Sequence, residues 1–152
     1  MSKHRSFLLP SLVASLAIIV AILAWGIFRK TSMYEASRQL AISTTEEIFS
    51  STSGNLLVQL AHPVLLAQLP AESLNAFVAS VPRIMGSLES ISSISGASDV
   101  SLIPVSFSPP TASYEIQLTF GENRVTALME LVYEQGNWRF TAYRVDSPML
   151  LN

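Results

Sequence analysis

The stretch Ser6–Phe28, SFLLPSLVASLAIIVAILAWGIF, constrains this chain more than any other feature: it is uncharged and almost wholly apolar. As an α-helix rising ~1.5 Å per residue it extends about 34 Å, enough to cross a hydrocarbon core of ~30 Å. Thirteen of its residues are Leu, Ile, Val or Phe. At the bilayer centre each favours insertion by roughly 0.3–0.6 kcal/mol, so together they supply at most about 4–8 kcal/mol. Pro10 lies in the first turns and the serines can bond back to helix carbonyls, so neither opposes insertion strongly. Helices buried in a globular core rarely run this long without a charge. The expected organisation is a short basic tail over 1–5 and a transmembrane helix over 6–28. A helix leaving the membrane follows over 29–50, able to belong to the domain that 51–152 completes.

Basic residues bracket the span, with Lys3 and Arg5 before it and Arg29, Lys30 and Arg38 after it. That near balance does not set an orientation by the positive-inside rule. The short basic start and the lysine-free, acidic remainder resemble an uncleaved signal anchor. The expected location is therefore a single pass through the cell inner membrane, with the C-terminal domain extracytoplasmic. A cleaved signal peptide is the rival reading. Its apolar region would run ~7–15 residues, shorter than this one, and Ala24-Trp25-Gly26 is a poor cleavage site. The chain has no cysteine, which excludes a lipoprotein anchor, disulfides and thiolate metal sites.

Beyond Lys30 about 120 residues remain, enough for one modest core. There five arginines face all eleven acidic residues, a net charge of −6. Nucleic-acid binding needs a clustered basic face, so no nucleic-acid partner is expected.

No glycine or proline falls between Gly26 and Gly54, so nothing punctuates a helix leaving the membrane. Met33, Leu40, Ile48 and Phe49 are its apolar points, and Ser43-Thr44-Thr45-Glu46 offers a new N-cap, leaving one helix or two. Ser50–Asn55 reads as a loop. Pro63 divides Leu56–Leu69 into two short helical pieces. Pro70-Ala71-Glu72 then opens an amphipathic helix whose buried stripe is Leu74, Phe77, Val78, Val81, Met85 and Leu88. Pro82 is expected to kink or end it near Val81.

Ser87–Ser101 is serine-rich, with Leu88, Ile91 and Ile94 as apolar points, and reads as an edge strand or a solvated loop, the strand being preferred. From Val100 the apolar period becomes two. Strands are expected over Val100–Phe107, Ser113–Phe120, Arg124–Glu134 and Trp138–Asp146, with turns at Gly121-Glu122-Asn123 and Gln135-Gly136-Asn137. Arg124–Glu134 carries Val125, Ala127, Met129, Leu131 and Tyr133 on one face and Leu128 and Val132 on the other, so it is expected to be covered on both sides. On the last strand Trp138, Phe140 and Ala142 are expected inward, under the Leu74–Leu88 helix. Helices followed by an antiparallel meander give the class α+β.

The closing phrase Gly136-Asn137-Trp138-Arg139-Phe140-Thr141-Ala142-Tyr143-Arg144-Val145, after Ala127-Leu128-Met129-Glu130-Leu131-Val132-Tyr133, resembles the last strands of the NTF2-like (cystatin-like α+β) superfamily. The likeness extends over about Met33 to Asp146, with its telling residues in the last forty or so. It implies a bent antiparallel sheet wrapped around helices, a cone that often contains a pocket. The superfamily includes enzymes, ligand binders and interaction modules, so the resemblance implies no one activity. In layout the chain also resembles the inner-membrane assembly factor of type IV secretion systems, although its domain is small for that family.

Tyr114, Leu118, Met129, Trp138 and Phe140 are the candidate lining of a pocket or core. No catalytic, cofactor or metal constellation is evident. His62 has no visible orienting partner for general-base work. Tyr143 and Asp146 could imitate an acid–phenol pair, but an odd separation places them on opposite faces of a regular strand. Glu46 and Glu47 point apart on a helix and make a poor metal pair. The small residues Ser11, Ser15, Ala17 and Ala21 permit close helix packing. The functional expectation is a membrane-tethered, extracytoplasmic, non-catalytic interaction or assembly module, partnered with another envelope protein or itself and using no cofactor. The alternative is a small apolar ligand binder, or an enzyme using the cone's interior.

Overall fold

A computed structural model describes residues 8–102 and 108–146, with side chains from Leu12 onward. The unpunctuated stretch after the apolar run joins it in one continuous helix: α1 runs Leu8–Ser50, 43 residues. Its two halves meet different surroundings. From Leu12 to Phe28 its large apolar side chains project outward. From Met33 onward it packs into the domain, burying Ala41, Ile48 and Phe49 together with Ser37, Thr44 and Thr45. α1 is the helix among the described residues that is long and apolar enough to cross a membrane.

After the Ser51–Gly54 loop come α2 (Asn55–Leu60), α3 (Pro63–Gln68) and α4 (Ala71–Met85). Pro63 takes the first position of α3, where a missing N–H costs nothing. Pro82 neither ends nor shortens α4. The helix continues to Met85 and closes at Gly86, whose φ of 90° suits glycine and whose N–H donates to the Pro82 carbonyl. A proline this near the C-terminus removes one hydrogen bond from the last turns, while continuation buries Met85.

The four strands β1 (Leu88–Asp99), β2 (Thr111–Phe120), β3 (Asn123–Glu134) and β4 (Asn137–Asp146) form one open antiparallel meander in chain order. The β3–β4 turn has positive φ at both Gln135 (52°) and Gly136 (83°), the geometry that suits two-residue hairpins. The expected strand over Val100–Phe107 does not begin at Val100. The strand before β2 is the serine-rich β1, Val100–Leu102 are outside regular structure, and 103–107 lie outside the described residues.

Two bulges explain how β1 can be a strand with apolar residues every third position. Glu89 and Ser92 are the extra residues, so Leu88, Ile91 and Ile94 pair in turn with Phe120, Leu118 and Ile116. Those partners are the inward residues of β2. Each bulge restores the side that a spacing of three would have lost. Next in register, Gly96 opposes Tyr114; a Cβ there would collide with the Ser113 carbonyl and the Tyr114 ring, and the φ is 140°. A third bulge, at Thr141, lies in β4. It turns Ala142 off the inner face, where regular alternation places it, and brings in Tyr143 and Val145.

Helices cover one face of the sheet. α1 packs on β1 and β2, whereas α2 and α3 pack on β4. Trp138 accordingly lies beside Met33, Leu40 and Leu60, from α1 and α2, and not under α4 as the helical stripe suggested. On the other face of β3, Val132 is buried and Leu128 only half-buried. β3 is thus central by its neighbours but lacks a second covering layer. The free edge of β4 is capped where the His62 N–H donates to the Phe140 carbonyl (2.8 Å) beside an Ala61–Phe140 bridge.

Candidate functional site

The five candidate lining residues come together on the inner face of the sheet. Tyr114, Leu118, Met129, Trp138 and Phe140 are all buried in one cluster with α1, α2, α3 and α4. Side chains fill the space between them. Phe120 meets Phe49 edge-on at 5.5 Å, Phe140 meets Tyr143 at 6.0 Å and Trp138 meets Tyr133 at 5.3 Å.

Two phenols are buried in that interior, and both bond to hydroxyls of α1. The Tyr114 hydroxyl lies 2.7 Å from Ser37 Oγ and 3.3 Å from the Tyr34 carbonyl. Tyr143 lies 3.1 Å from Thr45 Oγ1. Burial raises both pKa values above the ordinary tyrosine value, and the bond to Ser37 or Thr45 only partly opposes it. α1 turns a stripe of small side chains, Ser37, Ala41 and Thr45, toward the sheet at a four-residue spacing. A search for apolar points misses this stripe. The readable signal is small residues repeating every four positions, with tyrosines placed inward on two strands.

His62 does have an orienting partner, supplied from 72 residues away. Its Nδ1 accepts from the Val64 N–H, capping α3, and Nε2 lies 3.2 Å from Glu134 Oε2. With Nδ1 accepting, Nε2 carries the proton and donates to the carboxylate. Both ring nitrogens are thereby occupied. Asp146 is exposed and engages Arg144 through both oxygens, at 3.0 and 3.1 Å, on the face opposite Tyr143. Glu46 and Glu47 are exposed on α1. Among the described residues no three His, Asp or Glu side chains gather as metal ligands would.

Several concavities remain among the described residues, one of about 620 Å³ lined by His62, Asp99, Glu130, Glu134 and Thr141 among others. A cleft of about 730 Å³ lies at the level of the cross-strand row Gly96–Tyr114–Met129–Tyr143 and is also lined by Leu65, Gln68 and Leu69. Its charged lining groups, Glu115, Glu130 and Arg144, are exposed. A groove of about 460 Å³ runs between α1, α2 and the β3–β4 hairpin, lined by Met33, Leu40, Leu60, Tyr133 and Trp138 among others. Trp138 is 6% exposed, and its Nε1–H has no hydrogen-bond partner. Neither the cleft nor the groove is lined by a histidine among the described residues. Comparison of the chain with protein-family models, with curated proteins and with solved structures gives no match.

Proposed function

We propose that this protein is a membrane-tethered interaction module: a single span presenting an NTF2-like domain outside the cytoplasm to another envelope protein or to a second copy of itself. The observation that carries the reading is the continuity of α1. The helix that is apolar enough to cross a bilayer is also the helix on which the sheet is built, with no linker between the two roles. A domain held this way has little freedom to rotate about its anchor, which suits assembly at a membrane surface. The α+β order, the antiparallel meander and the closing strand phrase support the NTF2-like assignment. The short basic start and the lysine-free, acidic remainder support an N-terminus inside.

The interior supports a binding role over a chemical one. Its two phenols are spent on Ser37 and Thr45, and His62, outside the interior, is spent on a cap and on Glu134. A second reading, a binder of a small apolar ligand, is favoured by the cleft beside Tyr114 and Met129.

Crosslinking in native membranes, followed by substitution, separates the two. Glu115 is exposed on the uncovered face of β2, and Gln117, half-buried, bonds to it at 3.0 Å. Glu115→Arg and Gln117→Arg should abolish the crosslinked complex while leaving the melting temperature within a few degrees of the parent. His62→Ala and Asp146→Asn should leave biological activity intact. Activity lost in the second pair, with fold and complex unchanged, would sink the interaction reading, and loss in Glu115→Arg without loss in Gln117→Arg would favour the cleft, which Glu115 lines and Gln117 does not.

A further inference from the structure

The segment that leaves β1 comes back to α1 at an unexpected height. Gly26 is buried, although the helix around it projects its side chains outward. What covers it is the backbone of Leu102: a Cβ built on Gly26 would stand 2.5 Å from the Leu102 carbonyl oxygen and 3.5 Å from its Cα. The absence of a side chain is what permits this approach. Gly26 lies two residues inside the last apolar residue of the span, Phe28, and three inside Arg29. At ~1.5 Å per residue that is about 3–5 Å below the start of the charged boundary.

We propose that the segment following β1 is a second membrane-docking element, with Leu102 seated against Gly26 in the interfacial layer of the bilayer that α1 crosses. The proposal rests on the reading of α1 as a span. Three further observations point to lipid as the occupant. Leu102 is 42% exposed at this height, so its side chain faces the medium around the helix. Trp25, also exposed, marks the same level with a side chain typical of the membrane–water boundary. No charge occurs between Asp99 and Glu115 in the sequence to oppose entry. The depth is limited as well, because backbone carbonyls outside regular structure need water or other donors, which the interface supplies and the hydrocarbon centre does not. With α1 and this segment both engaged, the domain is held at two points, and its sheet has a defined rotation about the membrane normal.

The chain has no native cysteine, so single probes can be placed without background. The test uses the full-length protein in phosphatidylcholine–phosphatidylglycerol nanodiscs, labelled with bimane at Leu102→Cys, Phe28→Cys or Glu115→Cys. Quenching is read with a shallow nitroxide lipid and with aqueous iodide, after circular dichroism confirms each fold. The expected result is lipid quenching of Leu102→Cys to the extent seen at Phe28→Cys, with little from iodide, and the reverse at Glu115→Cys. Lipid quenching at Phe28→Cys with iodide quenching at Leu102→Cys overturns the docked segment and leaves the span standing. Leu102→Cys shielded from both quenchers, with chain-to-chain crosslinks at that position, overturns lipid in favour of a second copy. Absence of lipid quenching at all three sites overturns the span itself, and the docked segment with it.

Discussion

Tyr143 is the residue whose chemistry is most altered by its place in the fold. Its hydroxyl is buried against Thr45 Oγ1, so Tyr143→Phe leaves a buried threonine hydroxyl that must bond back to its own helix. The expected loss is about 1–2 kcal/mol in chemical denaturation, and Thr45→Val in the same chain should recover part of it. The phenols also predict a pH dependence. Tyrosines in the unfolded chain release their protons near pH 10, whereas burial makes the folded chain hold those of Tyr114 and Tyr143 to higher pH. The folded state therefore binds more protons above pH ~10, so stability is level below that value and falls as pH rises past it. Tyr143→Phe should flatten the decline. Trp138 makes a different case. Trp138→Ala should cost about 3–5 kcal/mol for the buried ring, but Trp138→Phe less than about 1.5 kcal/mol, because Nε1–H has no bond to lose. Equal losses in the two variants would mean the indole nitrogen is bonded.

At the scale of elements, β1 shows how a sequence with the wrong apolar period can still be a strand. Its two bulges also give it an irregular, serine-rich edge that is a poor template for further pairing. Gly96 is the position that cannot vary. Gly96→Ala introduces a methyl that overlaps the neighbouring strand's backbone, at a φ that alanine avoids. The expected destabilisation is about 1–3 kcal/mol or more, from strain together with a loosened β1–β2 pairing. Ser95→Ala, next to it and exposed, should change stability by less than about 0.5 kcal/mol. Comparable melting temperatures for the two variants would show that β1 is not held in this register.

For the whole molecule, α1 joins the apolar segment to the core, so on the proposed reading membrane attachment and domain folding are mechanically linked. The full-length chain should remain in membranes after carbonate extraction, with its C-terminal end open to protease from outside the cytoplasm. A soluble product starting after Gly26 would show a cleaved leader instead. An insertion of four glycines after Lys30 separates the two roles. The core contacts of α1 begin at Met33, so the domain should keep its fold while the geometry of any assembled complex is lost. Retained assembly would mean that the rigid connection is dispensable.

The long apolar N-terminal helix, the α+β order, the alternation of β2 and β3 and the glycine turns were all legible in the chain, because each is written in a few neighbouring residues. Backbone geometry converts such local patterns directly into a helix face or a strand side. The five lining residues Tyr114, Leu118, Met129, Trp138 and Phe140 could be placed inward for the same reason. Only the tertiary structure decided the rest. Thr141 becomes a bulge because β4 must register with β3, and that choice exchanges Ala142 for Tyr143 on the inner face. His62 finds Glu134, Ser37 finds Tyr114 and Thr45 finds Tyr143 across 72, 77 and 98 residues. Gly26 receives the backbone of Leu102, although nothing near either residue announces the contact. Such pairings depend on how distant elements pack, and no periodicity within one element encodes them.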